Sequence, residues 1–214
     1  QYRHISVRED SGLKILRECY NYRHAVQIID PTLCLSGNTW RKCVKTTNGG
    51  EDYILIYALH TDKKINDFAQ ALAKKTGLKL VRICSSWRQF NQNLFRREKK
   101  IILPDVFRFI SLIDNAKYVV TNSFHGTAFS LNLNTEPRSV SIPANLERIL
   151  GKSRIESILR LTHTLHRHVE HYDDFDVINK PVNFSEVNSI LDVERKKASD
   201  YLNMVFAEIR ERKK

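Results

Sequence analysis

Apolar runs with no polar face, each followed by an amphipathic stretch and then another such run, constrain this chain more than any other feature. Residues 53–58 read as a strand with no hydrophilic side. Residues 64–76 carry Ile65, Phe68, Ala69 and Leu72 on one stripe, and Gly77 closes that helix. Residues 79–83 form the next strand, and 105–116 predict a helix with Val106, Phe109, Ile110 and Ile113 inward. Residues 118–121 are again a strand, 127–133 a short helix, and 139–142 a strand before Pro143. Strands buried on both sides and separated by helices require a parallel sheet covered on both faces. The expected class is therefore α/β.

The flanks read differently. Residues 4–7 form a short strand that runs into Arg8-Glu9-Asp10, and Ser11 is the expected N-cap of a helix over 12–22 with Leu13, Leu16 and Tyr20 at helical spacing. Residues 26–29 are a second strand, stopped by Asp30-Pro31. Gly37, Asn38 and Asn48-Gly49-Gly50 mark 36–52 as turn and linker, the expected domain boundary. Residues 185–214 predict one long amphipathic helix with Val187, Leu191, Leu202 and Phe206 on its apolar side. Hydrophobic residues at 42% of 214 exclude a disordered chain. No run approaches the ~20 apolar residues of a membrane helix, and no signal peptide opens the sequence. The start at Gln1, directly before an apolar-alternating segment, is the expected pattern of a chain whose beginning has been removed. Cys19, Cys34, Cys43 and Cys84 form no CxxC pair and read as free thiols of a reducing cytosol rather than zinc ligands.

The chemistry concentrates in 118–130, Tyr-Val-Val-Thr-Asn-Ser-Phe-His-Gly-Thr-Ala-Phe-Ser. A buried strand meets a polar turn and then a helix. Ligands of open parallel sheets sit at the carboxyl ends of strands, and helix N–H groups there favour anions. Gly126 lets the backbone turn or approach a ligand closely. Asn122, Ser123 and Thr127 offer polar groups, and His125 is the one side chain here able to exchange a proton near neutral pH. Two readings fit. Either the turn binds an anion beside an acid/base histidine, or Asn122 and Ser123 only cap the helix while His125 hydrogen-bonds in the core. Arg8, also just past a strand, either clamps a carboxylate or phosphate or pairs with Glu9 or Asp10 at the surface.

Ser6-Val-Arg-Glu9, Asp30-Pro-Thr32, Leu103-Pro104 with Phe107, Ile110 and Ala116, Thr121-Asn-Ser-Phe-His-Gly126, and the tail 193–202 with Ser199 before Tyr201-Leu202 stand in the order of one known family. In these blocks the chain resembles the polysaccharide pyruvyl transferases. The resemblance implies a GT-B-like architecture of two Rossmann-like halves, with this chain equivalent to its C-terminal portion. Residues 1–48 would be the end of the first half plus linker, 49–184 the second Rossmann-like domain with helices on both faces of its parallel sheet, and 185–214 a helix packing back toward the first half. It also implies transfer of a pyruvyl group from phosphoenolpyruvate to a sugar, forming a ketal, in cell-surface or exopolysaccharide synthesis. His125 and Arg8 would be the catalytic pair, and Asn122, Ser123, Gly126 and Thr127 would bind substrate. The donor would be phosphoenolpyruvate, with no further cofactor and no metal. The acceptor would be a lipid- or nucleotide-linked saccharide, and the location cytoplasmic, at the inner face of an anionic membrane.

Other readings compete. His163, His166, His168 and His171 with Asp173, Asp174 and Asp176 invite a metal, but their spacing matches no compact site and a solvated variable loop is the plainer reading. The basic run 88–100, interleaved with Phe90 and Phe95, suits either single-stranded nucleic acid or a mobile loop meeting an anionic substrate. The net charge of +11 suits any anionic partner, but no nucleic-acid motif accompanies it, so no nucleic acid is expected. A glycosyltransferase with a nucleotide-sugar donor is the enzymatic alternative, and a basic binding module the non-enzymatic one. The family resemblance and the Arg8/His125 pair favour the pyruvyl transferase.

Overall fold

The structure, a computed structural model, describes residues 3–44, 51–60, 63–134, 139–141, 152–169 and 180–211. Its strands are β1 (Ser6–Val7), β2 (Val26–Gln27), β3 (Tyr53–Tyr57), β4 (Lys79–Cys84), β5 (Lys99–Ile102), β6 (Tyr118–Thr121) and β7 (Ser139–Ser141). Its helices are α1 (Asp10–Tyr20), α2 (Gly37–Cys43), α3 (Lys63–Thr76), α4 (Trp87–Gln92), α5 (Val106–Asp114), α6 (Phe124–Asn132), α7 (Lys152–Leu161) and α8 (Phe184–Glu211), with short 3-10 turns at Pro31–Leu33 and Leu165–Arg167.

The apolar strands do what their lack of a polar face demands. All pairings are parallel, in the order β5-β4-β3-β6-β7, so the strand order reverses between β3 and β6. Alternate residues of each strand enter opposite cores. Ile54 and Ile56 of β3 and Val120 of β6 pack with Ile65, Phe68 and Leu72 of α3. Leu55 and Val119 point the other way, onto Ile110 and Ile113 of α5 and Phe129 of α6. The result is a Rossmann-like layered α/β body, as the hydrophobic rhythm requires.

A second, two-stranded parallel sheet pairs Ser6 with Val26 and Val7 with Gln27. It is attached through a third apolar cluster. Ile29 and Leu33, just after β2, join Phe124 and Ala128 of α6, Ile155 and Ile158 of α7, and Val187, Leu191 and Ala198 of α8. Arg195 of α8 adds polar clamps, donating to the Leu33 carbonyl at 2.9 Å and to Asn132 Oδ1 at 2.8 Å. The long C-terminal helix therefore ties the end of the small sheet to α6.

Four segments depart from the sequence-based reading. The stretch expected to be linker contains α2, capped by Ser36, whose hydroxyl accepts the Thr39 N–H at 3.2 Å. Gly37 stands there because a Cβ would lie 2.1 Å from the Asn132 carbonyl oxygen, so it serves helix packing and not a flexible turn. The basic run expected as a loop holds α4 and β5. Glu98 within that run accepts from Arg82 of β4, and Arg82 also donates to Asn66 Oδ1 at 2.6 Å. Arg82, a cation within the otherwise apolar centre of β4, is thus buried and paired from the neighbouring loop. Helix α1 begins at Asp10 with Glu9 as N-cap, two residues before Ser11 would allow. Helix α6 begins at Phe124 rather than at Thr127. The C′ role of Gly77 holds, at φ 73°.

Residues 170–179, and with them His171, Asp173, Asp174 and Asp176 of the histidine-rich stretch, lie outside the described residues. Among the described residues no three His, Cys, Asp or Glu side chains converge as metal ligands, and His163 instead bonds Glu186 at 2.6 Å. No described helix is long and apolar enough to cross a membrane.

Removing one partner of a buried ion pair leaves the other charge uncompensated, at a cost of about 3–5 kcal/mol. Glu98→Ala should lower the urea unfolding free energy by that order. The double variant Arg82→Leu/Glu98→Leu should recover most of it, and a Glu98→Ala protein with an unchanged urea midpoint would refute the account.

Candidate functional site

The site begins where the two strands of the small sheet end. Pairing of Val7 with Gln27 places the next residues of both chains side by side, so Arg8 and Asp30 emerge within reach of each other. Asp30 stops its strand by capping the 3-10 turn. Its Oδ1 accepts the Thr32 N–H at 3.0 Å and the Thr32 hydroxyl at 2.7 Å. Oδ2 is left for Arg8, whose Nη1 donates at 2.7 Å while Nε donates to Glu9 at 3.1 Å. The Arg8 guanidinium lies 5.0 Å above the centre of the Phe124 ring, a cation–π contact.

The turn between β6 and α6 delivers the other half. Thr121 donates its hydroxyl to the Tyr57 carbonyl at 2.6 Å and accepts the Ser123 N–H at 3.0 Å. Asn122 Oδ1 accepts the Leu59 N–H at 2.9 Å, which locks the carboxyl ends of β3 and β6 together at the point where strand order reverses. Ser123 is the N-cap, its hydroxyl accepting the Gly126 N–H at 3.3 Å. Thr127 donates its hydroxyl back to the Ser123 carbonyl at 3.2 Å. Gly126 is required by close approach, since a Cβ there would sit 2.4 Å from Thr121 Oγ1. In the first turn of the helix, His125 alone turns outward. Its side chain is 47% exposed and its Nε2 lies 3.9 Å from Asp30 Oδ2.

The six residues singled out from the sequence thus fall into two groups. Arg8 and His125, 117 positions apart, meet on one carboxylate. Asn122, Ser123, Gly126 and Thr127 are buried and build the turn that holds His125 in place. Of the capping reading the structure keeps Ser123, which caps the helix, but Asn122 bonds the Leu59 N–H instead and His125 faces solvent rather than hydrogen-bonding in the core. The sequence alone does not single out Asp30 or Phe124 as site residues. The Asp-Pro-Thr triplet was the available signal, since a buried aspartate capping its own turn with Oδ1 keeps Oδ2 for another partner. Phe124 meets Arg8 with its face and the His125 ring edge-on at 5.4 Å.

The electrostatics follow from these contacts. The bond that Arg8 donates to Asp30, with a smaller contribution from Glu9, outweighs burial and raises the Arg8 pKa, so the guanidinium stays charged. Burial is the largest single influence on Asp30 and pushes its carboxyl up. The Thr32 hydroxyl and N–H, Arg8 and His125 together outweigh it and hold the carboxyl below its ordinary value.

Beside this cluster opens a cleft of about 260 Å³. Arg8, Asp30 and Phe124 line it, and α7 and α8 contribute Arg154, Ser157 and Lys197. Pockets for drug-sized ligands run about 300–1,000 Å³, so this cleft is sized for a small ligand; Glu194 also lines it. His125 adjoins it through Asp30.

The family model for polysaccharide pyruvyl transferase matches residues 1–142, a span that contains Arg8, Asp30 and the whole β6–α6 turn. The chain belongs to the polysaccharide pyruvyl transferase family. A search of curated proteins returned no match. Membership makes this a transferase whose family acts on a saccharide acceptor. In this pyruvyl transferase the matched span ends before α7, so Arg154 and Ser157 reach the cleft from outside it.

Two outcomes test this geometry. Gly126→Ala forces a methyl against a threonine already committed to two hydrogen bonds, and such overpacking costs about 1–3 kcal/mol. Thermal unfolding should show a lower melting temperature, and an unchanged one would refute the close approach. The Asp30 carboxylate adds stability above the ordinary carboxylate range near pH 4. That contribution disappears as pH falls through its lowered folded pKa. The stability gap between wild type and Asp30→Asn should therefore be full at neutral pH and shrink in acid. A gap that widens in acid would contradict the assignment.

Proposed function

We propose that this cleft binds phosphoenolpyruvate and that His125 delivers a proton to its methylene carbon, starting pyruvyl transfer to a saccharide and ending in a cyclic ketal. One observation carries the reading: a charged arginine and a solvent-facing histidine from distant parts of the chain converge on the Asp30 carboxylate beside a small cationic cleft. The donor holds a carboxylate, a phosphate and an electron-rich enol ether. Arg8 binds an anionic end through parallel N–H bonds. His125 gives its proton to the methylene carbon, which becomes the methyl group, and the adjacent carbon becomes electrophilic.

Two hydroxyl oxygens of the acceptor then bond that carbon, and the bond to the phosphate oxygen breaks. One hydroxyl proton restores the histidine and the other leaves with phosphate, so atoms and charge balance. Asp30 does not react. It fixes Arg8 and presents a negative charge to His125. Asn122, Ser123, Gly126 and Thr127 act in this scheme by positioning the imidazole, with the start of α6 turned toward an anion. The reading extends to a lipid- or nucleotide-linked acceptor of cell-surface or exopolysaccharide synthesis. It places the reaction on the cytoplasmic side, where the charge of +11 favours the anionic inner face of the membrane.

Phosphoenolpyruvate should raise the melting temperature of the protein, and a panel of nucleotide sugars should not. The reverse pattern would replace the reading with a glycosyltransferase. General acid catalysis contributes typically about 10²–10⁴-fold. His125→Ala should therefore keep the ligand-induced shift while phosphate release in the presence of saccharide acceptors falls by that factor.

A further inference from the structure

The cleft holds three cations, and two are already committed. Arg8 donates to the carboxylates of Asp30 and Glu9, and Lys197 pairs with Glu194 one turn away on α8. Arg154 is different. It lines the same cleft, is only partly exposed, and has no ion-pair or hydrogen-bond partner among the described residues. It also sits in the first turn of α7, where the positive end of the helix dipole disfavours a cation unless an anion stands nearby. Ser157, one turn further along the helix, lines the cleft as well and offers a hydroxyl.

We propose that Arg154 is the phosphate-binding residue of the cleft and that it shares the donor with Arg8, which takes the carboxylate. The proposal rests on the phosphoenolpyruvate reading above. Charge decides which end goes where. Beside Arg8 a ligand meets two carboxylates, and a phosphate dianion is repelled by them about twice as strongly as a monoanionic carboxylate. Glu194, the other carboxylate lining the cleft besides Asp30, is paired with Lys197, no described carboxylate forms an ion pair with Arg154, and the planar guanidinium fork matches phosphate oxygens in a bidentate arrangement. With the carboxylate on Arg8, the enol carbons lie toward His125 and the phosphate points to α7. Arg154 then holds the leaving group and stabilises the charge it gains as the carbon–oxygen bond breaks. This assigns a ligand contact to a residue beyond the span that the family model matches.

Isothermal titration with three separate probes, phosphoenolpyruvate, inorganic phosphate and pyruvate, tests the division. In Arg154→Ala, affinity for phosphoenolpyruvate and for inorganic phosphate should fall about tenfold or more, the scale of one lost charge-assisted contact. Pyruvate should bind as in wild type. Arg154→Lys should recover part of the phosphate affinity, and it carries the test if the alanine variant proves unstable. Arg8→Ala should show the opposite bias, losing pyruvate more than phosphate. Unchanged phosphate and phosphoenolpyruvate binding in both Arg154 variants would overturn the role of Arg154 and leave the donor reading standing. So would an equal loss of pyruvate, which would mark a general disturbance of the cleft. A wild-type protein that binds no phosphoenolpyruvate would overturn both.

Discussion

A single buried carboxylate joins the two parts of this molecule where its chemistry lies. Asp30 ends the small sheet, caps its own turn through one oxygen, and uses the other to hold Arg8 beside the first turn of α6. An ionised group so deeply buried persists only with compensating donors. Thr32 and Arg8 supply them, and His125 completes the ring of partners from the large sheet. Each of these groups depends on the others for its position, because a charge buried without its partner is costly.

The supporting structure explains why such an arrangement stays in register. The small sheet has only two residues in each strand and no core of its own, and β2 is exposed on both faces. It is placed by the apolar cluster that Ile29 and Leu33 share with α6, α7 and α8, and by the clamps from Arg195. At the other end, the β6–α6 turn is rigid because Thr121, Asn122 and Ser123 each bond neighbouring backbone groups. Polar residues with few alternative contacts thus hold one imidazole outward. With these groups buried, His125 is left as the exposed side chain of α6.

Much of the large sheet was legible in advance, and for a definite reason. A strand covered on both faces must be apolar along its whole length, so β3, β4 and β6 announce themselves, and Gly77 marks the end of α3. Helices α2 and α4 were not legible. They are six or seven residues long, rich in polar and basic side chains, and stabilised by contacts with distant residues such as Asn132 and Ala58. Arg82 illustrates the same limit. The sequence places it in a strand but carries no mark of Glu98 and Asn66, which satisfy its charge from other elements. The early start of α6 was hidden because Phe-His-Gly resembles turn chemistry, whereas Ser123 caps the helix three residues sooner.

The sequence by itself determined the parallel α/β body, the family, and the two residues Arg8 and His125 as candidates, because hydrophobic periodicity and short motifs are local properties of a chain. Only the tertiary structure decided that these two meet on Asp30, that Asn122, Ser123, Gly126 and Thr127 face inward, and that Arg154 from a late helix completes the cleft. Those facts depend on which elements pack together, and long-range packing juxtaposes charges that are far apart along the chain and carry no mark of one another in it.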